Sequence, residues 1–225
     1  MSRVAHSRTL RDRGLAVGMI EDEVRTVTPE RAAKVQRALD RRVGSVVCVM
    51  EAVRRRHNAS ALIRSCEAFG VHEVHLITAY FRPSVGAARG AERWVHLRTF
   101  PTVAESIAEL HARGFKVYVA DLADDAYTPE TLPVDGPVAV LFGSEVRGVS
   151  AEARSLADGA VMIPMRGLTE SLNVSVSGAI LLRAVADRRR SLVGDDLGDD
   201  EKRRFTAEWL AAEADGRRGL RARTE

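Results

Sequence analysis

The sequence predicts an α/β fold: a mainly parallel sheet with helices on both faces, flanked by one helix at each end. Three observations carry this reading. Short apolar runs alternate with segments of helical character, the order expected when each strand returns through a crossover helix. Ser45–Glu51 (SVVCVME) is close to continuously apolar, as in a strand buried within a sheet. Glycines stand where helical segments stop, at Gly70 and Gly114, and an apolar run follows each at once.

Residues 1–27 are polar and basic and read as partly disordered. Thr28-Pro29-Glu30 then opens a helix, because Thr28 can cap, Pro29 fits the first turn, and Glu30 favours the positive end of the helix dipole. That helix runs to Arg42, with Ala32, Val35, Ala38 and Leu39 on one face. Ser45–Glu51 is a buried strand, Asn58–Phe69 a helix and Val71–Ile77 a second strand. Thr102–Arg113 is a helix and Phe115–Leu122 a strand. After a Pro/Gly-rich connection, Val138–Phe142 and Ala160–Met165 are strands, and a long helix spans Ser171–Arg190. An acidic linker, Ser191–Asp200, leads to an amphipathic helix over Glu201–Glu213 that carries Phe205, Trp209 and Leu210 on its apolar face. The expected organisation is a basic helical extension (1–44), one catalytic domain (45–190) and a linker with a C-terminal helix (191–225). No internal repeat is present.

The 225 residues are 45% hydrophobic and 29% charged, ordinary for a soluble globular chain. No apolar run approaches the roughly 20 residues that span a bilayer, and the opening MSRVAHSRTLRDRG lacks the apolar core of a secretory signal. Two cysteines, Cys48 and Cys66, are too few for a disulfide framework or a cysteine zinc site, so a reducing, cytoplasmic setting is expected. The net charge is only +3, but arginine is clustered: Arg3, Arg8, Arg11 and Arg13; Arg41-Arg42; Arg54-Arg55-Arg56; Arg188-Arg189-Arg190; Arg217-Arg218. Its planar fork suits phosphate, and such clusters point to a polyanion.

Several familiar chemistries are excluded. GSEVRGVS, from Gly143 to Ser150, nearly matches a P-loop, but Val149 stands where the phosphate-binding lysine belongs. No strand is followed by G-x-G-x-x-G, and no G-x-S-x-G elbow occurs. His72-Glu73-Val74-His75 is one residue short of the zinc-protease pattern. On a strand its histidines face opposite sides, so they read as two surface residues and no metal ion is expected. Cys66 lies within a helix and reads as core.

Three segments remain, each at the carboxyl end of a strand, where open α/β sheets place ligands. They are HNASALIR (His57–Arg64), LFGSE (Leu141–Glu145) and IPMRGLTESLNVSVSGAILL (Ile163–Leu182). Asn58 is a candidate helix cap. In the third segment Ser171, Asn173, Ser175 and Ser177 alternate with apolar residues just before the apolar run Gly178–Leu182.

Taken in order, HNASALIRSCEAFGVHEVHLI, VLFGSEVRGVS and IPMRGLTESLNVSVSGAILL resemble the three motifs of the SpoU-type (SPOUT) RNA 2'-O-methyltransferases, over roughly residues 45–190. The flanks, VVCVMEAVRRRHN and EKRRFTAEWL among them, are similar to the branch that methylates guanosine 18 of the tRNA D-loop. The resemblance implies a deep trefoil knot towards the carboxyl end, S-adenosylmethionine as methyl donor, and a homodimer with its active site at or near the interface. It implies that Arg64 is the central catalytic residue and that Asn58, Glu145, Ser171 and Asn173 shape the site, with Ser171 capping the long helix or lying in its first turn and Asn173 turned to the cofactor and ribose. Backbone around Ala120, Gly143, Ile163 and Leu172 would hold the cofactor. His57, Arg11, Arg54, Arg55 and Arg56 would face the RNA. Arg54-Arg55-Arg56, the stretch Arg89–Trp94, and Glu170 in place of a usual glutamine depart from the branch's pattern, so they bear on the substrate more than on the chemistry. A guanidinium stays protonated in proteins, so the expected role of Arg64 is to grip the target's phosphate and orient the hydroxyl. Ribosomal RNA, or another position of tRNA, is the alternative substrate for the same chemistry. Only some 44 residues precede the first strand, short of a separate RNA-binding domain, and this favours tRNA.

Overall fold

The computed structural model of the chain describes residues 27–53, 55–77 and 88–214. The expectations for the arm before residue 27, and for Arg11 and Arg54 as RNA contacts, lie outside the described residues.

The elements follow as α1 (Pro29–Leu39), β1 (Val43–Glu51), α2 (Arg56–Phe69), β2 (Val71–Ile77), a 3-10 turn (Ala91–Arg93), β3 (His96–Phe100), α3 (Val103–Ala112), β4 (Lys116–Ala120), β5 (Val138–Phe142), α4 (Ala151–Leu156), β6 (Gly159–Val161), α5 (Val174–Val193) and α6 (Asp199–Ala214). Among the described residues, six parallel strands form one sheet in the order β3-β2-β1-β5-β4-β6. The expected parallel α/β sheet is present. Strand parity divides the core. Val46, Cys48 and Met50 face a layer with Leu62 and Ile63 of α2 and Leu181, Leu182 and Val185 of α5. Val47 and Val49 face Ile107 and Leu110 of α3. A third cluster joins α1 and α6 through Val35, Leu39, Phe205 and Trp209. Asp196 pins the linker to the start of β1, accepting from the Gly44 and Ser45 amides at 2.7 and 3.2 Å.

Local signals place the helix ends. Thr28 Oγ1 accepts from the Arg31 amide at 3.2 Å, and Gly70 closes α2 at φ +79°. Its left-handed conformation suits glycine.

Element ends shift by a few residues, as at the last strand, expected over Ala160–Met165 and found over Gly159–Val161, and at the first helix, which stops at Leu39. Three further departures stand out. β3 has no counterpart among the predicted strands: it is an edge strand whose residues are mostly half-buried, so it lacks a continuous apolar run. The six-residue α4, capped by Ser150 Oγ at 3.0 Å from the Ala153 amide, is too short to show a helical period. His72 and His75 do face opposite sides of β2, but both are buried rather than on the surface. β2 is an inner strand, so each side of it is covered. The His72 ring meets Phe205 edge-on at 4.3 Å between centroids. His75 bonds Glu73 at 2.6 Å and Ser106 Oγ at 2.8 Å. Glu73, His75 and Glu109 place possible metal-ligand atoms within 4.8 Å of one another. Arg98 and Arg113 bridge both carboxylates, however, and supply the positive charge that a cation would bring.

Candidate active site

A cavity of about 560 Å³ opens at the carboxyl ends of β4, β5 and β6, beneath the starts of α2 and α5. Phe142, Val161 and Leu181 give it an apolar floor.

Gly143, where β5 ends, cannot carry a side chain. A Cβ there would lie 2.1 Å from the Gly148 carbonyl carbon and 2.3 Å from the Val149 nitrogen. Ser144 and Gly148 exchange two backbone hydrogen bonds of 2.9 Å, Ser144 Oγ accepts from the Arg147 amide at 3.1 Å, and Gly148 turns the chain at φ +64°. The Gly143–Gly148 spacing, which resembles that of a phosphate loop, thus closes a tight hairpin, and the hairpin sets Glu145 on the cavity wall.

Asn58 Nδ2 donates to Glu145 Oε1 at 2.8 Å, and Asn173 Nδ2 donates to Asn58 Oδ1 at 3.3 Å. Asn173 Oδ1 accepts from the amide and hydroxyl of Ser175, at 2.8 and 2.7 Å. A carboxylate only accepts, so Asn58 must turn its Nδ2 to Glu145 and its oxygen to Asn173. The same logic leaves the Asn173 oxygen for the helix. One polarised chain therefore links the three strand-end segments, and its direction follows from the carboxylate at one end and the helix amide at the other.

The helix caps differ from those expected. Asn58 is the third residue of α2, 5% exposed, and its amide is engaged across the fold; Arg55 occupies the cap position without a side-chain bond. α5 begins at Val174, and its cap is Asn173 rather than Ser171. Ser171 is exposed and lines the cavity before the helix starts.

Helix packing makes this possible. A Cβ on Gly178 of α5 would lie 2.2 Å from Leu62 Cδ1, so glycine lets α5 approach α2 this closely without displacing the Leu62 side chain. That approach brings Asn58 and Asn173 within bonding distance.

Ala120, Gly143, Ile163 and Leu172 all line the cavity, from the ends of β4 and β5, the segment after β6, and the approach to α5. Arg55 lines it as well, while His57 and Arg56 are exposed at the start of α2. Arg64 does not join them. It is exposed on α2, outside the cavity lining, and has no side-chain partner among the described residues. Six residues at about 100° each leave it pointing roughly 120° away from Asn58. Sequence reasoning missed Val146, Gly148 and Leu181 as wall residues. The glycine pair was the available signal for the first two; Leu181 looks like any core leucine.

Fold and site define an α/β domain with a ligand crevice at the carboxyl edge of its sheet, walled by three strand-end segments. The model of the SpoU rRNA Methylase family matches residues 45–183. The tRNA (guanosine(18)-2'-O)-methyltransferase of Thermus thermophilus is 38% identical over 197 residues, 83% of this chain and 99% of that protein. The enzyme of the same name from Escherichia coli is 36% identical over 170 residues, 75% of this chain and 74% of that one. The crystal structure of the A. aeolicus TrmH/SpoU tRNA modifying enzyme superposes with a TM-score of 0.75 at 26% identity, covering 82% of this chain and 96% of that one. The chain belongs to the SpoU methylase family.

Proposed function

We propose that this protein is a homodimeric methyltransferase that moves a methyl group from S-adenosylmethionine to the ribose 2'-hydroxyl of guanosine 18 in the tRNA D-loop. The observation that carries the reading is the Glu145–Asn58–Asn173 chain, which binds the family's three motifs into one wall of one cavity. The match to the T. thermophilus enzyme over nearly its whole length supports the substrate.

The cavity suits the cofactor. Its volume falls in the range of about 300–1,000 Å³ usual for small-molecule sites, its floor is apolar, and backbone at Ala120, Gly143, Ile163 and Leu172 stands at its rim. When bound, S-adenosylmethionine supplies an electrophilic methyl on a positively charged sulfur. The chain's own task is then mostly positioning. Glu145, held by Asn58, and Asn173, held by the first turn of α5, shape the ribose side together with Ser171. Arg64 acts as a phosphate clamp, since a guanidinium offers a planar fork of donors and no acceptor. The gripped phosphate orients the target hydroxyl, and its oxygen helps pass the proton on to solvent as the 2'-oxygen takes the methyl and S-adenosylhomocysteine is left.

Arg64 lies outside its own chain's cavity, which supports a dimer in which each copy delivers this residue to the other's site. α5 also exposes Val176 and Ile180, one turn apart, 46% and 41% exposed. Such an apolar strip suits a second copy. The inferred trefoil knot has support around residues 127–135. Tyr127 pairs with the β6 segment, donating to the Ala160 carbonyl at 2.9 Å and accepting from the Met162 amide at 2.8 Å. The following residues lie against α5, where Arg188 donates to the Pro129 and Leu132 carbonyls, both at 2.8 Å, and Arg189 to those of Val134 and Asp135, at 3.0 and 2.7 Å. Free, buried Cys48 and Cys66 suit the reducing cytoplasm.

The test uses unmodified tRNA transcripts and labelled cofactor. Label is expected on the 2'-oxygen of guanosine 18, and none on a transcript with that guanosine replaced. Transfer unaffected by the replacement refutes the site assignment.

A further inference from the structure

The hairpin from Ser144 to Gly148 separates the cavity above from a second one of about 630 Å³. Arg55, Glu145 and Val146 are among the residues that wall both. Val146 is 86% exposed at the hairpin tip. An aliphatic side chain so placed does nothing for the core. It stands on a stiff support, because reciprocal Ser144–Gly148 bonds and the seated Gly143 hold the turn. A stiff tip loses little entropy on binding.

The charge around the second cavity is positive where it is unengaged. Arg55 and Arg147 have no side-chain partner among the described residues. Glu51 is buried and accepts from the Ser150 amide at 2.9 Å, and Arg154 pairs with Asp121.

An apolar tip between two cavities, with free arginines beside it, matches how proteins part stacked bases: an aliphatic wedge enters the stack while arginines hold phosphates. Enzymes that act on a stacked base draw its nucleotide out of the stack, and a ribose within a folded RNA loop reaches a recessed wall more readily once its nucleotide has been drawn out in the same way. We propose that Val146 is such a wedge. It separates the target nucleotide from its neighbour, directing the target ribose into the first cavity and the flanking phosphate into the second, against Arg55 and Arg147. The proposal rests on the tRNA-methylation reading and extends it to how the substrate is opened.

The experiment uses full-length tRNA transcripts with 2-aminopurine next to the target guanosine, bound to the dimer with S-adenosylhomocysteine. Unstacking raises 2-aminopurine emission. The wild-type protein is expected to raise it several-fold. Val146→Ser should bind the transcript with a Kd within about threefold of wild type, lose most of the emission rise, and slow single-turnover methyl transfer at least about tenfold. Arg55→Ala and Arg147→Ala should instead weaken binding and each reduce the salt dependence by about one phosphate contact. Wild-type emission and rate in Val146→Ser overturn the wedge. So does loss of cofactor binding, which would make Val146 a cofactor wall, or loss of the dimer in sedimentation, which would make it an interface residue. A wild-type protein that methylates tRNA without raising emission also overturns it. One that does not methylate tRNA at all overturns the underlying reading instead.

Discussion

Asn58 holds Glu145 at 2.8 Å from 87 positions away in the chain, and it does so as a donor. Its replacement tests the polarised chain. Asn58→Ala is expected to cost about 1–2 kcal/mol of stability, since buried hydrogen-bonding partners lose their mate. It should also lower methyl transfer at least about tenfold through lost positioning. Asn58→Asp keeps the shape but sets a carboxylate against Glu145 and removes the donor. It should therefore reduce transfer further than alanine does. Single-turnover rates at saturating cofactor and tRNA, beside urea unfolding, check both; an aspartate variant as active as wild type shows that the polarity is irrelevant.

Arg64 stands apart from its own cavity, so mixed dimers distinguish service in trans from service in cis. Arg64→Ala and Asn173→Ala homodimers should each be nearly inactive. After subunit exchange, a mixed dimer acting in trans contains one intact site and one doubly damaged site, and activity returns. Acting in cis, every site keeps one defect and none returns. Arg64→Lys should also fail, because an ammonium cannot make the bidentate grip.

Gly178 and Leu62 share one contact, and a double-mutant cycle reads it. Gly178→Ala gains roughly 1 kcal/mol of helix propensity but forces a Cβ to 2.2 Å from Leu62 Cδ1. Overpacking of that kind costs about 1–3 kcal/mol. Leu62→Ala alone leaves a cavity and should cost about 2–5 kcal/mol. In the double variant the clash is gone, the space is partly filled and the propensity gain remains. The double variant should therefore be more stable than Leu62→Ala alone in urea melts. An additive result means the helices do not meet at this point.

His72 makes the protein acid-sensitive. Burial, with Arg42 and His96 adding positive charge nearby and Glu73 opposing them, lowers its pKa from 6.5 to about 3. Neither ring nitrogen has a hydrogen-bond partner among the described residues. The folded protein thus refuses a proton that the unfolded chain accepts. Its contribution is fully present above pH 6.5 and is lost progressively as pH falls from there towards 3. Between pH 7 and pH 5 this one group should remove about 2 kcal/mol. Unfolding free energies at the two pH values should differ by about that much more in wild type than in His72→Leu, where the docking of α6 no longer opposes protonation.

The sequence by itself determined whatever local patterns report. β1 and β5 stand out as apolar runs, Thr28 and Gly70 mark helix ends by their own backbone chemistry, and the three strand-end segments can be read because parallel strands send ligand-binding residues to one edge. Tertiary structure decided the rest, because it depends on partners distant along the chain. β3 is a strand only because β2 lies beside it. His72 and His75 are buried because α6 and α3 cover β2. Asn173, not Ser171, caps α5, since its amide must also reach Asn58 across 115 positions. Gly143 and Gly148 close a hairpin whose spacing alone suggests a phosphate loop. Arg64, six residues from Asn58 in one helix, is turned away from the cavity by the helical repeat, and that turn makes a second copy of the chain part of the proposed site.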